Sequence, residues 1–350
     1  MTLRALRSRG FTLVELMVGL TVGLFVSLAA ISVFVSTRKL QTVSSSKSRM
    51  GENARLAMEL LHRDFRSAGF QGCKPRLEDA PVSLLAAGNG IFLDSGSSGL
   101  GGSHGDGTTF TPTLNATLAG LAQPPNANSD VVSVRVPVEP MSLGLSAPMT
   151  TSTGVPSVGA NTAGNAILSG DILLIANCKA AAMFQVTELS PKTTGLLSHA
   201  VGGSFDPGNV TADMQQVFRG DSAVYRVRTH HYYIASSVGR PGTSSMWRYT
   251  FPNTDGSANP QEVVQGVERM LVNFGIDKGD QTVNMYVNAA GVTSWNSVVA
   301  ARIQLLTASV NDGVTLGSQS ASFAGATVTP TDRRLRTEVT EVVALRNRAP

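Results

Sequence analysis

The sequence predicts an α+β protein: one very long N-terminal α-helix, membrane-spanning in its first half, packed by its second half on an antiparallel β-sheet head. Three observations carry that expectation. Residues 11–35 form an apolar run with a single charge and no proline. A 3.6-residue amphipathic pattern follows from Met50 to Ala68. Beyond residue 70, short β-rich runs alternate with stretches rich in Gly, Ser, Thr and Asn.

The first element is a basic leader. Arg4, Arg7 and Arg9 all precede the apolar run, and they hold most of the chain's formal charge of +4; without them 25 basic residues face 24 acidic ones, a net +1. A nearly neutral remainder has no electrostatic footprint for DNA or RNA.

The apolar run itself, Phe11 to Val35, is long enough to cross a bilayer as a helix. An ordinary secretory signal with cleavage at Ser27-Leu28-Ala29 is opposed by two features. The run continues past that site through Ile31, Val33, Phe34 and Val35, and Glu15 sits in its first turns. A carboxylate at membrane depth costs up to about 3 kcal/mol. A cut between Gly10 and Phe11 would supply its counter-charge, a new α-amino group four residues away, within a subunit or from a neighbour. Gly19 and Gly23 form a GxxxG pair that permits close helix approach, or a chance spacing in a Gly-rich chain. Arg38, Lys39, Lys47 and Arg49 follow the span, so flanking charge alone does not orient it.

The helix continues beyond the membrane. Met50, Ala54, Ala57, Leu61, Phe65 and Ala68 recur at three- and four-residue steps, with Glu52, Arg55, Glu59, Arg63 and Arg66 on other faces. Gly69 and Gly72 are stop signals. A single helix from Phe11 to Ala68 would be roughly 85 Å long.

In the head, strands are expected at Val131–Val136, Asp171–Ile175, Met183–Val186, Ala223–Val227, Tyr232–Ala235, Met246–Tyr249, Met270–Phe274, Val298–Leu306 and Glu338–Leu345. Residues 84–128 and 141–165 read as surface loops, partly mobile. Cys73 and Cys178 lack metal-site spacing. A disulfide between them suits an exported head, with two unrelated thiols as the alternative.

Several motifs invite chemistry. Gly101-Gly102-Ser103-His104-Gly105 matches the G-x-S-x-G pattern of a nucleophile elbow, but its flanks predict a loop and not a strand-to-helix turn. His230 and His231 are adjacent in a strand and should point to opposite faces, which disfavours a shared metal. Asp277-Lys278-Gly279-Asp280 resembles a degraded calcium loop and reads better as a hairpin turn. Arg333, Arg334 and Arg336 suggest a solvated strand edge or a face for an acidic partner.

Residues 9–18, Arg-Gly-Phe-Thr-Leu-Val-Glu-Leu-Met-Val, resemble the class III signal of type IV prepilins and pseudopilins. The resemblance implies cleavage after Gly10 by a prepilin peptidase, N-methylation of Phe11, a role for Glu15 in assembly, and a leader in the cytoplasm. Many major pilins carry a proline midway along the membrane half, and this chain has none. Glu52-Asn53-Ala54-Arg55 through Asp64-Phe65-Arg66-Ser67-Ala68-Gly69-Phe70-Gln71-Gly72-Cys73, Gly170-Asp171 to Cys178, Asp332 to Arg336 and Ala344-Leu345-Arg346-Asn347 are similar to PilW-type minor pilins.

That likeness implies a pilin-like fold and a non-enzymatic, low-copy subunit that helps initiate type IV pilus assembly. It divides the chain into a leader (1–10), a filament-core half of the helix (11–35), an amphipathic half (36–69) and a head (70–350). The implied partners are the prepilin peptidase, other minor pilins, the major pilin and the inner membrane, with a tip adhesin as a further candidate. No cofactor, metal or nucleic acid is implied. The subunit would reside in the inner membrane with a periplasmic head and then in the surface pilus. A minor pseudopilin of a type II secretion system is the nearest alternative, and a signal-anchored hydrolase using Ser103 the more distant one.

Overall fold

The computed structural model describes residues 11–73, 81–87, 90–93, 99–138, 142–160, 167–280 and 282–348. The expected leader, with Gly10, lies outside the described residues.

Helix α1 (Leu13–Ser67) is unbroken over 55 residues, about 82 Å. Thr12 caps its N-terminus, and at its C-terminus the Ala68 N–H bonds the Phe65 carbonyl. Gly69 (φ 75°) then turns the chain off the axis. The helix divides as its sequence predicts. Every residue from Phe11 to Thr42 is exposed, and burial starts at Ser46 and continues through Met50, Ala54, Ala57, Met58, Leu61, Asp64 and Phe65. Among the described residues α1 is the one helix long and apolar enough to cross a membrane.

Sixteen strands follow among the described residues. The first half of the head supplies β1 (Val82–Ser83), β2 (Leu100–Gly105), β3 (Phe110–Thr111), β4 (Val131–Pro137), β5 (Leu143–Gly144), β6 (Ile172–Ala176) and β7 (Ala181–Gln185). Next come β8 (Ala223–Ser236), β9 (Ser244–Phe251), β10 (Gln261–Gln265), β11 (Val267–Ile276) and β12 (Met285–Val287). The chain closes with β13 (Val298–Ala308), β14 (Ala321–Phe323), β15 (Ala326–Val328) and β16 (Arg336–Ala344).

Ten of these form one large sheet, β1-β7-β6-β8-β4-β2-β3, with β5, β9 and β10 branching from it. All its pairings are antiparallel except β1 with β7. The 14-residue β8 is its spine: on one flank it pairs first with β6 and then with β9, while β4 holds the other. A second sheet, β12-β11-β13-β16, is wholly antiparallel. The two expected strands at 223–227 and 232–235 are thus one continuous element.

Two sheets, not one, meet the helix. The main core joins Met58, Leu61 and Phe65 of α1 to Val132, Val134 and Ile234 of the large sheet and to Val272, Ile303 and Val343 of the small one. Each such apolar side chain contributes roughly 1.5–3 kcal/mol on burial. The helix therefore wedges between the sheets.

The expectation that 84–128 and 141–165 are surface loops, partly mobile, is corrected for part of the described residues there. Residues 100–105 are a strand in the large sheet, and Leu84, Leu85, Ile91, Leu100, Leu118 and Met149 are buried. Their glycines misled the reading, because β2 uses glycine for close packing. A Cβ on Gly102 would meet the Val131 carbonyl oxygen at 2.9 Å, and one on Gly105 the Ala127 oxygen at 2.3 Å.

Candidate functional site

The helix start is built from Thr12 and Glu15. The Glu15 N–H donates to Thr12 Oγ1 (3.2 Å), while Glu15 Oε2 accepts from the Thr12 N–H (3.0 Å) and hydroxyl (2.9 Å). This capping box satisfies two helix-end donors and gives the carboxylate local partners. Phe11 stands next to it, fully exposed. Sequence reasoning placed a free amine beside Glu15 and did not anticipate Thr12 as the residue that fixes the carboxylate's position.

At the other end, Asp64 joins helix to head. It is 3 % exposed. Its Oδ2 accepts from the Tyr232 hydroxyl (2.7 Å) and lies 2.6 Å from His230 Nδ1, both on β8, while Oδ1 accepts from Arg63 Nε (3.2 Å). Burial raises the Asp64 pKa, but the His230 and Tyr232 bonds outweigh it and leave the carboxyl below its ordinary range. Burial and the neighbouring carboxylate push the Tyr232 phenol far up, so it stays a donor. Asp64 falls three residues after Leu61 and seven after Ala57, on the buried face, and that spacing was the available signal.

Two further ties sit at the same junction. Cys73 and Cys178 form a disulfide across a sequence separation of 105, linking the end of the helix to the β6–β7 turn. Gly72 (φ 100°) makes this approach feasible, since a Cβ there would lie 2.4 Å from Ala176 Cβ. From the far end of the chain, Asn347 Nδ2 donates to the carbonyls of Ser67 and Ala68 (3.2 Å each).

The remaining candidates resolve differently. His230 and His231 do point to opposite faces: His231 Nε2 donates to the Ile91 carbonyl (2.8 Å), so Nδ1 accepts from Ser133 Oγ (2.7 Å). Burial lowers the His231 pKa to about 4, so the ring is neutral. A cavity of about 340 Å³ opens over Ser103, Ser133 and His231. The two His231 nitrogens are spent on Ile91 and Ser133, so this ring is not free to serve Ser103 as a base. Ser103 itself is in strand β2 and not in the expected loop.

Asp277 and Asp280 lie in the β11–β12 hairpin turn. Asp277 Oδ1 accepts from the N–H groups of Gly279 and Asp280, and Asp280 bonds Thr282 and Asn284. Among the described residues no group of three or more His, Cys, Asp or Glu could hold a metal ion. The expectation of a solvated Arg336 is corrected: its side chain is 5 % exposed and clamps both Glu268 (2.7 and 2.8 Å) and Asp332 (2.7 Å).

Comparison with known proteins places this geometry. Residues 231–347 match the family described as type IV pilus-assembly protein W, and residues 6–31 match the prokaryotic N-terminal methylation motif. These two matches support a PilW-type minor pilin of the type IV pilus. The first match contains β9 to β16 and begins inside β8, next to the residue that meets Asp64. The second match contains the Thr12–Glu15 capping box. Pilins of that kind are structural proteins, and the N-terminal motif implies processing by a prepilin peptidase and association with other pilins. The motif and the apolar helix fit a membrane-anchored pilin. A type IV-like pilin from Thermus thermophilus is 15 % identical, with 86 % of this chain and 99 % of that one covered at a TM-score of 0.31, which adds nothing to the assignment. Among curated proteins none matches.

Proposed function

We propose that this minor pilin is cut between Gly10 and Phe11, methylated at Phe11, and held in the inner membrane by residues 11–35 with its head in the periplasm. From there it enters the surface pilus, where it helps initiate assembly with other minor pilins and the major pilin. Residues 36–69 fasten the helix to a head comprising residues 70–350. Glu15, positioned by Thr12, pairs with an N-terminal amine once the cut has been made.

The observation that carries the reading is the division of α1: an apolar half bare of any contact with the head, and a second half buried in it. An apolar surface of that length needs lipid or other helices around it.

Intact-mass measurement of the protein from cells with and without prepilin peptidase tests it. Loss of residues 1–10 with one methyl on Phe11, only when the peptidase is present, is expected. A chain beginning at Ala30, or an uncut chain in both strains, would overturn the proposal. Deletion of the gene should abolish piliation and twitching; loss of enzyme export with normal pili would instead indicate a secretion pseudopilus.

A further inference from the structure

The small sheet ends in β16, whose outer side has no partner strand among the described residues. Its inner side pairs with β13 over nine consecutive residues without a bulge. The ladder phase follows from two flanking bonds, the Leu345 N–H to the Val299 carbonyl (2.9 Å) and the Ser309 N–H to the Leu335 carbonyl (2.8 Å). Odd-numbered residues therefore bond β13, and Glu338, Thr340, Val342 and Ala344 direct their N–H and C=O groups away from the sheet.

No backbone bond to these four outward groups is made among the described residues. The β14–β15 hairpin reaches only the Glu338 end, where the Ala324 N–H bonds Glu338 Oε1 (3.3 Å). Thr340 to Ala344 is left open, with Val342 54 % exposed.

Such an edge is a template for strand addition unless it is guarded. β16 contains no lysine, no proline and no bulge, and of its three charges Arg336 and Glu338 are engaged within the head, which leaves the exposed Glu341 as the one charge in the open stretch. The other sheet ends are only two or three residues long, at β1, β3 and β12, and the β10 branch is five. β16 is also rigid at both ends. Arg336 is clamped by Glu268 and Asp332, and beyond the strand Asn347 is tied to the last carbonyls of α1.

We infer that β16 is a docking edge for a strand from the head of a neighbouring pilin-type subunit, which pairs with Thr340–Ala344 and extends the small sheet. The inference rests on the pilin reading, because that reading supplies the neighbour. Bundling of the bare helices sets subunits side by side, and the Asn347 tie holds the exit of β16 against the C-terminal end of α1, so the edge runs alongside the buried half of the helix. The outward side chains suit this occupant, since Thr340, Val342 and Ala344 are small or β-branched and uncharged.

The test uses the full-length protein in piliated cells, with a photo-crosslinking benzoylphenylalanine at position 340. The expected result is an adduct to a chain carrying its own N-terminal methylation motif, reduced at least tenfold by Val342→Pro and by Val342→Lys but retained in Val342→Thr. Proline at 342 removes only an outward N–H and is compatible with an edge strand. If it unfolds the head, judged by lost protease resistance, Val342→Lys alone decides. No adduct, an adduct undiminished by the variants, or adducts only to chains without that motif would overturn the inference. Normal loss of residues 1–10 in the same cells would show that the pilin reading survives such a failure.

Discussion

Replacing Asp64 with alanine should loosen the head from its helix more than any other single change on the helix's polar positions. The substitution removes two hydrogen bonds to an ionised acceptor, from His230 and Tyr232, each worth about 1.5–3 kcal/mol. It also strands the Tyr232 hydroxyl, on a residue with no exposed surface, at about 1–3 kcal/mol. Relief of the carboxylate's own desolvation offsets part of this, so the net loss should be about 3–4 kcal/mol.

Asp64→Asn keeps one acceptor oxygen and should lose about half as much. Tyr232→Phe removes one of those bonds and should cost about 1.5–3 kcal/mol. Because the two residues act as one unit, Asp64→Ala with Tyr232→Phe should be scarcely worse than Asp64→Ala alone. The sign with pH follows from the lowered Asp64 pKa. Its stabilisation is fully present above the ordinary carboxylate range and is lost as pH falls through the still lower folded value. Guanidinium unfolding of the full-length protein in detergent measures this, with Trp247 and Trp295 in the head as reporters. A loss under about 1 kcal/mol for Asp64→Ala, or strict additivity with Tyr232→Phe, would refute the reasoning.

Other expectations are separable from that one. The buried His231, neutral down to about pH 4 against an ordinary 6.5, makes stability fully present above 6.5. Between pH 6.5 and 4 it should fall by on the order of 3 kcal/mol; His231→Gln should flatten that limb in unfolding measured across the range. Breaking the Cys73–Cys178 bond with paired serines should cost about 4–5 kcal/mol in the chain-entropy picture, seen as a lower guanidinium midpoint, whereas identical peptide maps with and without reductant would deny the bond. Glu15→Val should leave cleavage and methylation intact yet reduce incorporation into pili at least tenfold. A close amine–carboxylate pair is worth about 4 kcal/mol at intermediate polarity, and unchanged incorporation on quantitative blots of sheared pili would exclude it.

The helix and the larger strands were legible because their signals are local. Met50, Ala54, Ala57, Leu61, Phe65 and Ala68 announce a buried face by spacing alone, and all six are buried. The flanking alternation around His230 and His231 announced opposite faces. What failed was non-local. β2 looks like a loop because Gly101, Gly102 and Gly105 are poor strand formers in isolation, and the reason for Gly102 and Gly105 lies in backbone approaching from residues 127–131, that for Gly101 in the Leu93 side chain. Gly266 (φ 78°) separates β10 from β11, and the need for glycine arises from the Ala308 carbonyl oxygen, 2.6 Å from where a Cβ would sit. Arg336 reads as a surface cation until Glu268, 68 positions away, is folded against it. Asp64 was the one miss with a local clue, a carboxylate in phase with the apolar stripe.

The three ties at the end of α1 fix more than stability. Asp64 meets His230 and Tyr232 from one azimuth of the helix, Asn347 holds its last carbonyls, and Cys73 clamps the chain just beyond. The head therefore cannot turn about the helix axis, and whatever the apolar half faces determines what β16 faces. Residues 36–42 are exposed and touch nothing in the head that would resist insertion there. Alanines placed between Lys39 and Leu40 thus separate rotation from displacement. Two extra residues advance the head by about 3 Å but rotate it by roughly 200°, whereas four advance it about 6 Å and leave it roughly 40° from its original azimuth. If azimuth governs assembly, the four-residue insertion should preserve piliation better than the two-residue one, with head unfolding unchanged in both. The opposite order would mean that axial position, and not the rigid junction at Asp64, sets how the subunit meets its neighbours.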